Sequence, residues 1–112
     1  MALMTGAVQK NRKNETCDLQ AWYFQMENNT LAYGILKGVH GVRKDIPKLR
    51  IYYFSAGKGI MTIDGKEYLV EEGSILEIPA HGTYDLRSTG DAPLKFFVDI
   101  GVKLDLDTIP SK

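Results

Sequence analysis

The chain has 112 residues, with 14 basic and 14 acidic side chains, two histidines and one cysteine. Its length fits one compact domain, and 44% hydrophobic with 25% charged residues is ordinary globular composition rather than that of a disordered chain. A formal net charge of zero argues against a nucleic-acid partner, and a single cysteine excludes an intramolecular disulfide.

The first half of the chain opens with a polar segment and then changes to strand-forming sequence. Residues 1–20 show no helical or strand period and are predicted to form an arm or a first edge strand, either tied down by a partner subunit or frayed. Strands are predicted at 21–27 and 30–38, with Asn28-Asn29 as the turn between them. Glycines and a proline interrupt residues 38–50, which are predicted to be a loop that contains a short strand.

The second half alternates short strands with tight turns. A strong strand at 51–56 is followed by a glycine-rich turn at 57–59, and Asp64-Gly65 is a hairpin signal. Further strands are predicted at 60–64, 66–70, 75–78, 83–89 and 93–101. Turn signals recur about every eight to twelve residues and no segment has a 3.6-residue apolar period, so residues 21–112 are predicted to be one all-β sandwich or barrel domain.

Four turn residues have the spacing of two known sequence motifs. Gly38 and Gly57 stand where the first motif opens and closes, and Gly73 and Pro79 fit the second motif. Through these residues the run from Gly38 to about Gly101 resembles the cupin superfamily, the small β-barrels of the double-stranded jelly-roll type. The resemblance implies a single RmlC-like jelly roll, that is, one double-stranded β-helix.

The residues that bind metal in this family are replaced here. The paired histidine positions of the first motif are occupied by Arg43 and Asp45, or by Lys44 and Ile46 with the other spacer length, and its glutamate position is occupied by Arg50. In the second motif, Tyr84 stands at the histidine position, His81 at the second glycine position and Ser88 at the asparagine position. A metal site needs donor atoms at fixed geometry, and an arginine places a positive charge where the ion should lie. We therefore expect no metal and no cofactor. His40 and His81 could instead form a rebuilt metal site, lie at the surface or rim, or, for His81, contact a ligand at the barrel mouth.

Strand alternation predicts which side chains fill the barrel. The inward-facing set is predicted to be Arg50, Tyr52 and Phe54 on one strand and Tyr84, Leu86 and Ser88 on another, with Ile51 and Tyr53 facing outward. An apolar cavity with a few convergent polar groups is the usual form of a small-molecule site. The predicted ligand-binding residues are Arg50, Tyr52, Tyr84 and Ser88, together with His81 and Lys44. Some of Arg43, Lys44 and His81 are expected near the mouth.

Arg50 is the most informative of these residues. Its planar guanidinium suits a carboxylate or phosphate, and the alternative is a salt bridge inside the barrel with Asp85, Glu77 or Asp45. The first hypothesis is a metal-independent cupin that binds a small polar or anionic ligand, carbohydrate-like or carboxylate-bearing, in a sensing or binding role. The second is a sugar epimerase or isomerase, or a lyase, with Tyr84 and His81 as acid and base. The third is a metalloenzyme with a rebuilt site.

The aromatic run Trp22-Tyr23-Phe24 predicts an interface, because three consecutive side chains of a strand cannot all face the core. Small cupins commonly pair their sheets, so we expect a homodimer that involves residues 1–30. No stretch approaches the ~20 apolar residues of a membrane-spanning helix, and the basic residues near the start follow the apolar run where a signal peptide places them before it. The protein is therefore expected to be cytoplasmic, without a membrane partner.

Overall fold

The computed structural model of the protein describes residues 7–108. They form β1 (Val8–Lys13), β2 (Cys17–Gln25), β3 (Thr30–Gly38), β4 (Arg50–Ala56), β5 (Lys58–Ile63), β6 (Lys66–Glu71), β7 (Ile75–Ile78), β8 (Tyr84–Ser88) and β9 (Leu94–Asp99), followed by a single 3₁₀ turn, Leu106–Thr108. The all-β prediction is confirmed. Within residues 7–108, no helix has the length and apolar character needed to cross a membrane.

The strands form two sheets that enclose one core. The larger sheet has the order β1-β2-β3-β9-β4-β7 and the smaller one β6-β5-β8, and each neighbouring pair is antiparallel. After β3 the chain crosses to the smaller sheet, where isolated bridges join Val39 to Arg87 and Arg43 to Tyr84. The short strand predicted within 38–50 thus consists of these two bridges, and the crossing closes one side of the barrel.

The barrel interior follows strand alternation, because successive side chains of a strand face opposite sides of the sheet. Tyr52 and Phe54 on β4, and Tyr84 and Leu86 on β8, are buried as predicted, while Tyr53 is exposed. Around them pack further apolar side chains of both sheets: Leu36, Met61, Val70, Ile78, Leu94, Phe96 and Val98. Both sheets contribute side chains to this core, so the packing between them stabilises the barrel.

The turns agree with the sequence at most positions. The β2–β3 and β5–β6 hairpins form where they were predicted, and Asp64 and Gly65 adopt φ of 48° and 84°. Several strand ends differ from the predicted ones by one or two residues, and two further differences are larger. β2 begins at Cys17 rather than residue 21, because Cys17 pairs with Gly38 of β3 and residues 18–20 pair with both β1 and β3. β4 and β5 are separated by Gly57 alone, so the three-residue turn predicted at 57–59 is wrong.

The N-terminal segment contributes an edge strand to the larger sheet. β1 pairs with β2 from Val8 to Lys13, and Arg12 donates a hydrogen bond to the backbone carbonyl of His40. This bond connects the sheet edge to the crossing segment. Residues 1–6 of the predicted arm lie outside the described residues.

The C-terminal segment folds back across one end of the barrel. The Asn29 Oδ1 atom accepts hydrogen bonds from the backbone N–H groups of Thr30 (2.7 Å) and Gly101 (2.8 Å). The Thr30 Oγ1 atom accepts one from the N–H of Leu104 at 2.9 Å, and Gln25 donates to the Leu104 carbonyl. These bonds hold Leu104 over the interior of the barrel.

Candidate functional site

A cavity of about 250 Å³ lies inside the barrel. Its polar side chains come from β2 (Tyr23), the crossing segment (His40 and Arg43), β4 (Arg50 and Tyr52) and β8 (Tyr84). Its apolar side chains are Leu19, Ala21, Ala32, Phe96, Val98, Ile100 and Leu104. Arg43 is exposed while it lines the cavity, which marks the mouth.

A hydrogen-bonded chain of three side chains runs along the polar wall. Arg50 Nη1 donates to the Tyr84 hydroxyl at 2.9 Å, and the hydroxyls of Tyr84 and Tyr52 lie 2.9 Å apart. The Arg50 Cζ atom lies 6.0 Å from the centroid of the Tyr84 ring. Arg50 Nε is buried without a hydrogen-bond partner in the described structure. The guanidinium therefore retains an unused donor, which is costly in an interior unless another group pairs with it.

The salt bridge considered for Arg50 does not form among the described residues. Asp45 instead bonds to His81, with 2.6 Å between Oδ1 and Nδ1, and Glu77 is exposed. Asp85 Oδ1 accepts hydrogen bonds from the backbone N–H groups of Gly41 and Leu86 at 2.9 and 2.7 Å. The carboxylates named as candidate partners are thus engaged elsewhere or face solvent, and Arg50 keeps its charge in the cavity.

Burial keeps two of the cavity phenols protonated. It raises the pKa of the fully buried Tyr52 well above the ordinary value of about 10, and neighbouring Tyr84 adds to the rise. Burial also raises the pKa of Tyr23, an effect that the nearby positive charge of Arg43 partly offsets. Neutral phenols can donate a hydrogen bond, so both add donors to the cavity.

His40 is buried beside this network and is held neutral. Burial lowers its pKa to about 4; the charges of Arg43 and Arg12 add to the effect, while Asp85 and the bond to the Gly41 carbonyl oppose it. Its Nδ1 lies 3.0 Å from that carbonyl oxygen, and its ring stacks on Tyr84 with 6.0 Å between centroids. A carbonyl oxygen only accepts, so Nδ1 carries the proton and Nε2 is left as an acceptor.

The buried neutral His40 should make the fold acid-sensitive. Its pKa is lower in the folded chain than the ordinary value of 6.5, so between pH 6.5 and 4 the unfolded chain binds more protons. The free energy of unfolding should therefore fall as the pH is lowered through that window, by up to about 3 kcal/mol. Urea unfolding at pH 7, 6, 5 and 4 measures this change.

His40→Asn should flatten that pH profile, because asparagine retains a donor near Nδ1 but does not titrate. His81→Asn is the matched control: the His81 side chain is 75% exposed, and this substitution should leave the His40-dependent fall in place. An unchanged profile in His40→Asn would assign the acid sensitivity to other groups.

The structure brings together only some of the residues chosen from the sequence. Arg50, Tyr52 and Tyr84 line the cavity, but Lys44, His81 and Ser88 do not. Ser88 is half-buried, and its Oγ accepts a hydrogen bond from the Gly38 N–H at 2.8 Å. Lys44 is exposed at the crossing segment.

His81 occupies the second glycine position of the family motif, and its backbone explains the family preference. Its φ of 66° lies in the left-handed region that glycine adopts most easily. Its N–H bonds to the Ile46 carbonyl at 2.7 Å, and its side chain pairs with Asp45 outside the cavity. His40 and His81 therefore do not face a common site.

The side chains at the family's metal positions do not fit a metal ion of the usual kind. Arg50 and Tyr84 bond to each other, and Asp45 is turned toward His81. Across residues 7–108, no group of three or more His, Cys, Asp or Glu side chains is placed to hold a metal ion.

Sequence reasoning missed Tyr23 and His40 as cavity-lining residues, and of the residues it placed near the mouth only Arg43 lines the cavity. Strand alternation could have indicated Tyr23, since it shares its face of β2 with the buried residues Leu19 and Ala21. His40 and Arg43 belong to the crossing segment, whose position depends on pairing with β8. A local sequence pattern carries no signal for that pairing.

Comparison with known proteins gives a family match over the barrel. Residues 47–101 match the model of the cupin domain. An uncharacterized protein of Methanocaldococcus jannaschii is 36% identical over 45 residues, which are 40% of this chain and 36% of that protein. The chain thus matches about a third of the length of this curated relative.

Solved structures match nearly the whole fold at low identity. A predicted oxalate decarboxylase from Thermotoga maritima has a TM-score of 0.75 and 16% identity, covering 93% of this chain and 99% of that one. A cupin 2 conserved barrel domain protein from Rhodopseudomonas palustris has a TM-score of 0.73 and 14% identity, covering 88% and 74%. KdgF from Halomonas sp. has 0.67 and 13%, covering 81% and 84%. These likenesses establish the jelly-roll barrel fold.

Proposed function

Since the chain belongs to the cupin superfamily, we propose that its barrel binds a small polar or anionic molecule without the help of a metal ion. The ligand occupies the cavity and bonds to Arg50, Tyr52 and Tyr84. The observation that carries this proposal is the Arg50 guanidinium in the cavity wall, with no carboxylate partner among the described residues and with Nε unpaired.

Physical chemistry supports an anchoring role for Arg50. A guanidinium removed from water is stabilised by charge-assisted hydrogen bonds, and the Tyr84 hydroxyl provides only one neutral acceptor. A ligand oxygen in the cavity would supply the missing acceptor. Catalysis by Tyr84 and His81 would need both side chains in the cavity, and the His81 side chain lies outside it, so binding is favoured over catalysis.

A cavity-blocking variant tests the proposal. Ala32 is buried and lines the cavity, so Ala32→Leu fills part of the space while it leaves Arg50 in place. Thermal unfolding should be followed with neutral sugars, sugar phosphates and carboxylic acids, oxalate included. At least one class should raise the melting temperature of the wild type and have no effect on Ala32→Leu. A ligand at ten times its Kd should stabilise the fold by about 1.4 kcal/mol.

The control is the unliganded Ala32→Leu protein, whose circular dichroism should match that of the wild type. The proposal fails if no class stabilises the wild type. It also fails if stabilisation persists in the blocked, folded variant, because the ligand would then bind elsewhere.

We also infer that two copies of the chain associate through the outer face of the larger sheet. One row of that face is apolar across five strands in register: Trp22, Tyr33, Phe97, Tyr53 and Ile75. Ile75, Phe97 and Tyr53 are 63%, 50% and 41% exposed, and an exposed apolar patch of this kind is typical of an interface.

Charge complementarity favours a second copy as the occupant of this row. Lys95 and Asp99 lie two residues on either side of Phe97 on the same face of β9. A twofold axis that crosses β9 at Phe97 would set Lys95 of each copy against Asp99 of the other. Such pairs fix the orientation of an interface whose affinity comes from the aromatic row.

Phe97→Glu should convert the dimer to a monomer, because it places a charge at the centre of the apolar row. Light scattering of the purified protein at micromolar concentration measures the change, and the dimer dissociation constant should rise roughly 30-fold or more. Leu69→Glu is the control, since Leu69 is 85% exposed on the smaller sheet. A monomeric wild type, or an equal effect of Leu69→Glu, would contradict this inference.

A further inference from the structure

We propose that the ligand of the cavity is a carboxylate with a compact apolar body rather than a carbohydrate. This inference rests on the proposed binding function and narrows its ligand class. It follows from the balance of hydrogen-bond donors and acceptors on the cavity wall, from the apolar character of the remaining lining residues, and from the cavity volume.

Donors exceed acceptors on the polar wall. The side chains there are two arginines, three tyrosines and one histidine, and no Asp, Glu, Asn or Gln is among the described residues that line the cavity. Each guanidinium has five N–H donors and no acceptor. The acceptors are limited to phenol oxygens and the Nε2 of His40, so the wall suits a ligand group that only accepts hydrogen bonds.

A carboxylate is such a group. Its two oxygens match the two parallel N–H donors of a guanidinium. They also carry a negative charge, which would pair with the positive charge of Arg50. Arg43 stands at the mouth of the same cavity, so an entering anion meets one positive charge and then another. A sugar hydroxyl, in contrast, brings a proton that needs an acceptor, and few acceptors are present.

The rest of the cavity wall is apolar. It consists of aliphatic side chains from β2, β3, β9 and the C-terminal segment, together with the Phe96 ring. A ring of hydroxyls buried against this wall would leave donors unsatisfied, at about 1–3 kcal/mol for each. A hydrocarbon body gains from the same contact, because apolar surface is removed from water.

The volume sets the size of the ligand. A cavity of about 250 Å³ corresponds to roughly eight water molecules at ~30 Å³ each. A ligand of about eight to ten non-hydrogen atoms therefore fills it. Hexanoate and benzoate have this size, with the charge at one end and the apolar body at the other.

Four small molecules test separately the contribution of the ligand's charge and that of its apolar body. Hexanoate combines a carboxylate with an apolar body, hexanamide is its neutral counterpart, glucuronate combines a carboxylate with a hydroxylated body, and glucose has neither feature. Each is titrated into isotope-labelled wild type and Ala32→Leu, with backbone amide shifts followed by NMR. Hexanoate should bind most tightly, and hexanamide and glucuronate at least tenfold more weakly. Glucose should produce no saturable shift, and Ala32→Leu should lose the hexanoate response.

The outcomes distinguish the two proposals. Tighter binding of glucuronate or glucose than of hexanoate, lost in Ala32→Leu, would overturn the ligand class and leave the binding function standing. Equal affinity for hexanoate and hexanamide would remove the role of the charge. No response to any of the four probes overturns the ligand class, and failure of the wider screen as well overturns the binding function.

Discussion

Arg50→Met is expected to weaken carboxylate binding about 100-fold while the unliganded barrel stays as stable as before or becomes more stable. A charge-assisted hydrogen bond contributes about 1.5–3 kcal/mol, and loss of about 3 kcal/mol corresponds to 100-fold in Kd. Methionine keeps much of the length and adaptability of arginine but removes the buried donor that has no partner. Calorimetry with hexanoate measures the affinity, and urea unfolding measures the stability.

The loss of a partly buried charge explains why Arg50→Met is expected to weaken ligand binding without lowering the stability of the fold. Replacing a buried ionic group with an apolar one is often neutral or stabilising. The hydroxyl of Tyr84 keeps its bond to Tyr52 when Arg50 is replaced, so it is not left unpaired. A residue that lowers the stability of the unliganded fold but raises the affinity for a ligand is typical of a functional site.

Arg87→Met is the matched control for this substitution. Arg87 lies on β8, is about half exposed and pairs with Glu67 at 3.7 Å, away from the cavity. Its replacement should change neither affinity nor stability by more than a few tenths of a kcal/mol. If Arg50→Met bound hexanoate as tightly as the wild type, Arg50 would not be the anchor. If it unfolded the protein, Arg50 would be structural instead.

Gly57→Ala is expected to destabilise the fold by about 3 kcal/mol. Gly57 has φ of 84°, and a Cβ there would lie 2.4 Å from the Pro93 carbonyl oxygen and 2.8 Å from the Leu94 Cα. The left-handed backbone costs a non-glycine residue about 1–2 kcal/mol, and crowding against fixed backbone adds roughly 1–3 kcal/mol. Urea unfolding measures the combined loss.

Gly65→Ala isolates the backbone cost from the steric one. Gly65 also has φ of 84°, but a Cβ there would meet no atom within 4 Å. Its replacement should destabilise the fold by only about 1 kcal/mol. Equal losses in the two variants would mean that the chain around Pro93 yields and that Gly57 is required only for its φ.

The sequence predicted the strands and turns well because those signals are local. Asn28-Asn29 and Asp64-Gly65 lie between alternating segments, and both form the predicted turns. Gly57 shows the limit of such signals. It reads as part of a three-residue turn, but its function is close approach to the strand that begins at Leu94, which only the folded chain brings near.

The candidate site was only partly predictable for the same reason. Arg50, Tyr52 and Tyr84 follow from strand alternation combined with the motif positions. The place of His40 depends on the crossing segment and on Arg12 in β1, a contact between residues 28 positions apart. His81 was predicted to lie near the barrel mouth and to act with Tyr84, but its left-handed backbone and its bond to Asp45 direct it away from the cavity.

The position of the chain's single tryptophan determines what optical spectroscopy can report. Trp22 lies on the outer row, with its ring 5.7 Å from that of Tyr33, and it does not line the cavity. Intrinsic tryptophan emission should therefore follow the proposed association of two copies and change little on the proposed binding of a ligand. Tyr52 and Tyr84 meet edge to face in the cavity, so near-ultraviolet tyrosine dichroism should follow the ligand. The proposed association and the proposed ligand binding should thus have separate optical signals in the unlabelled protein.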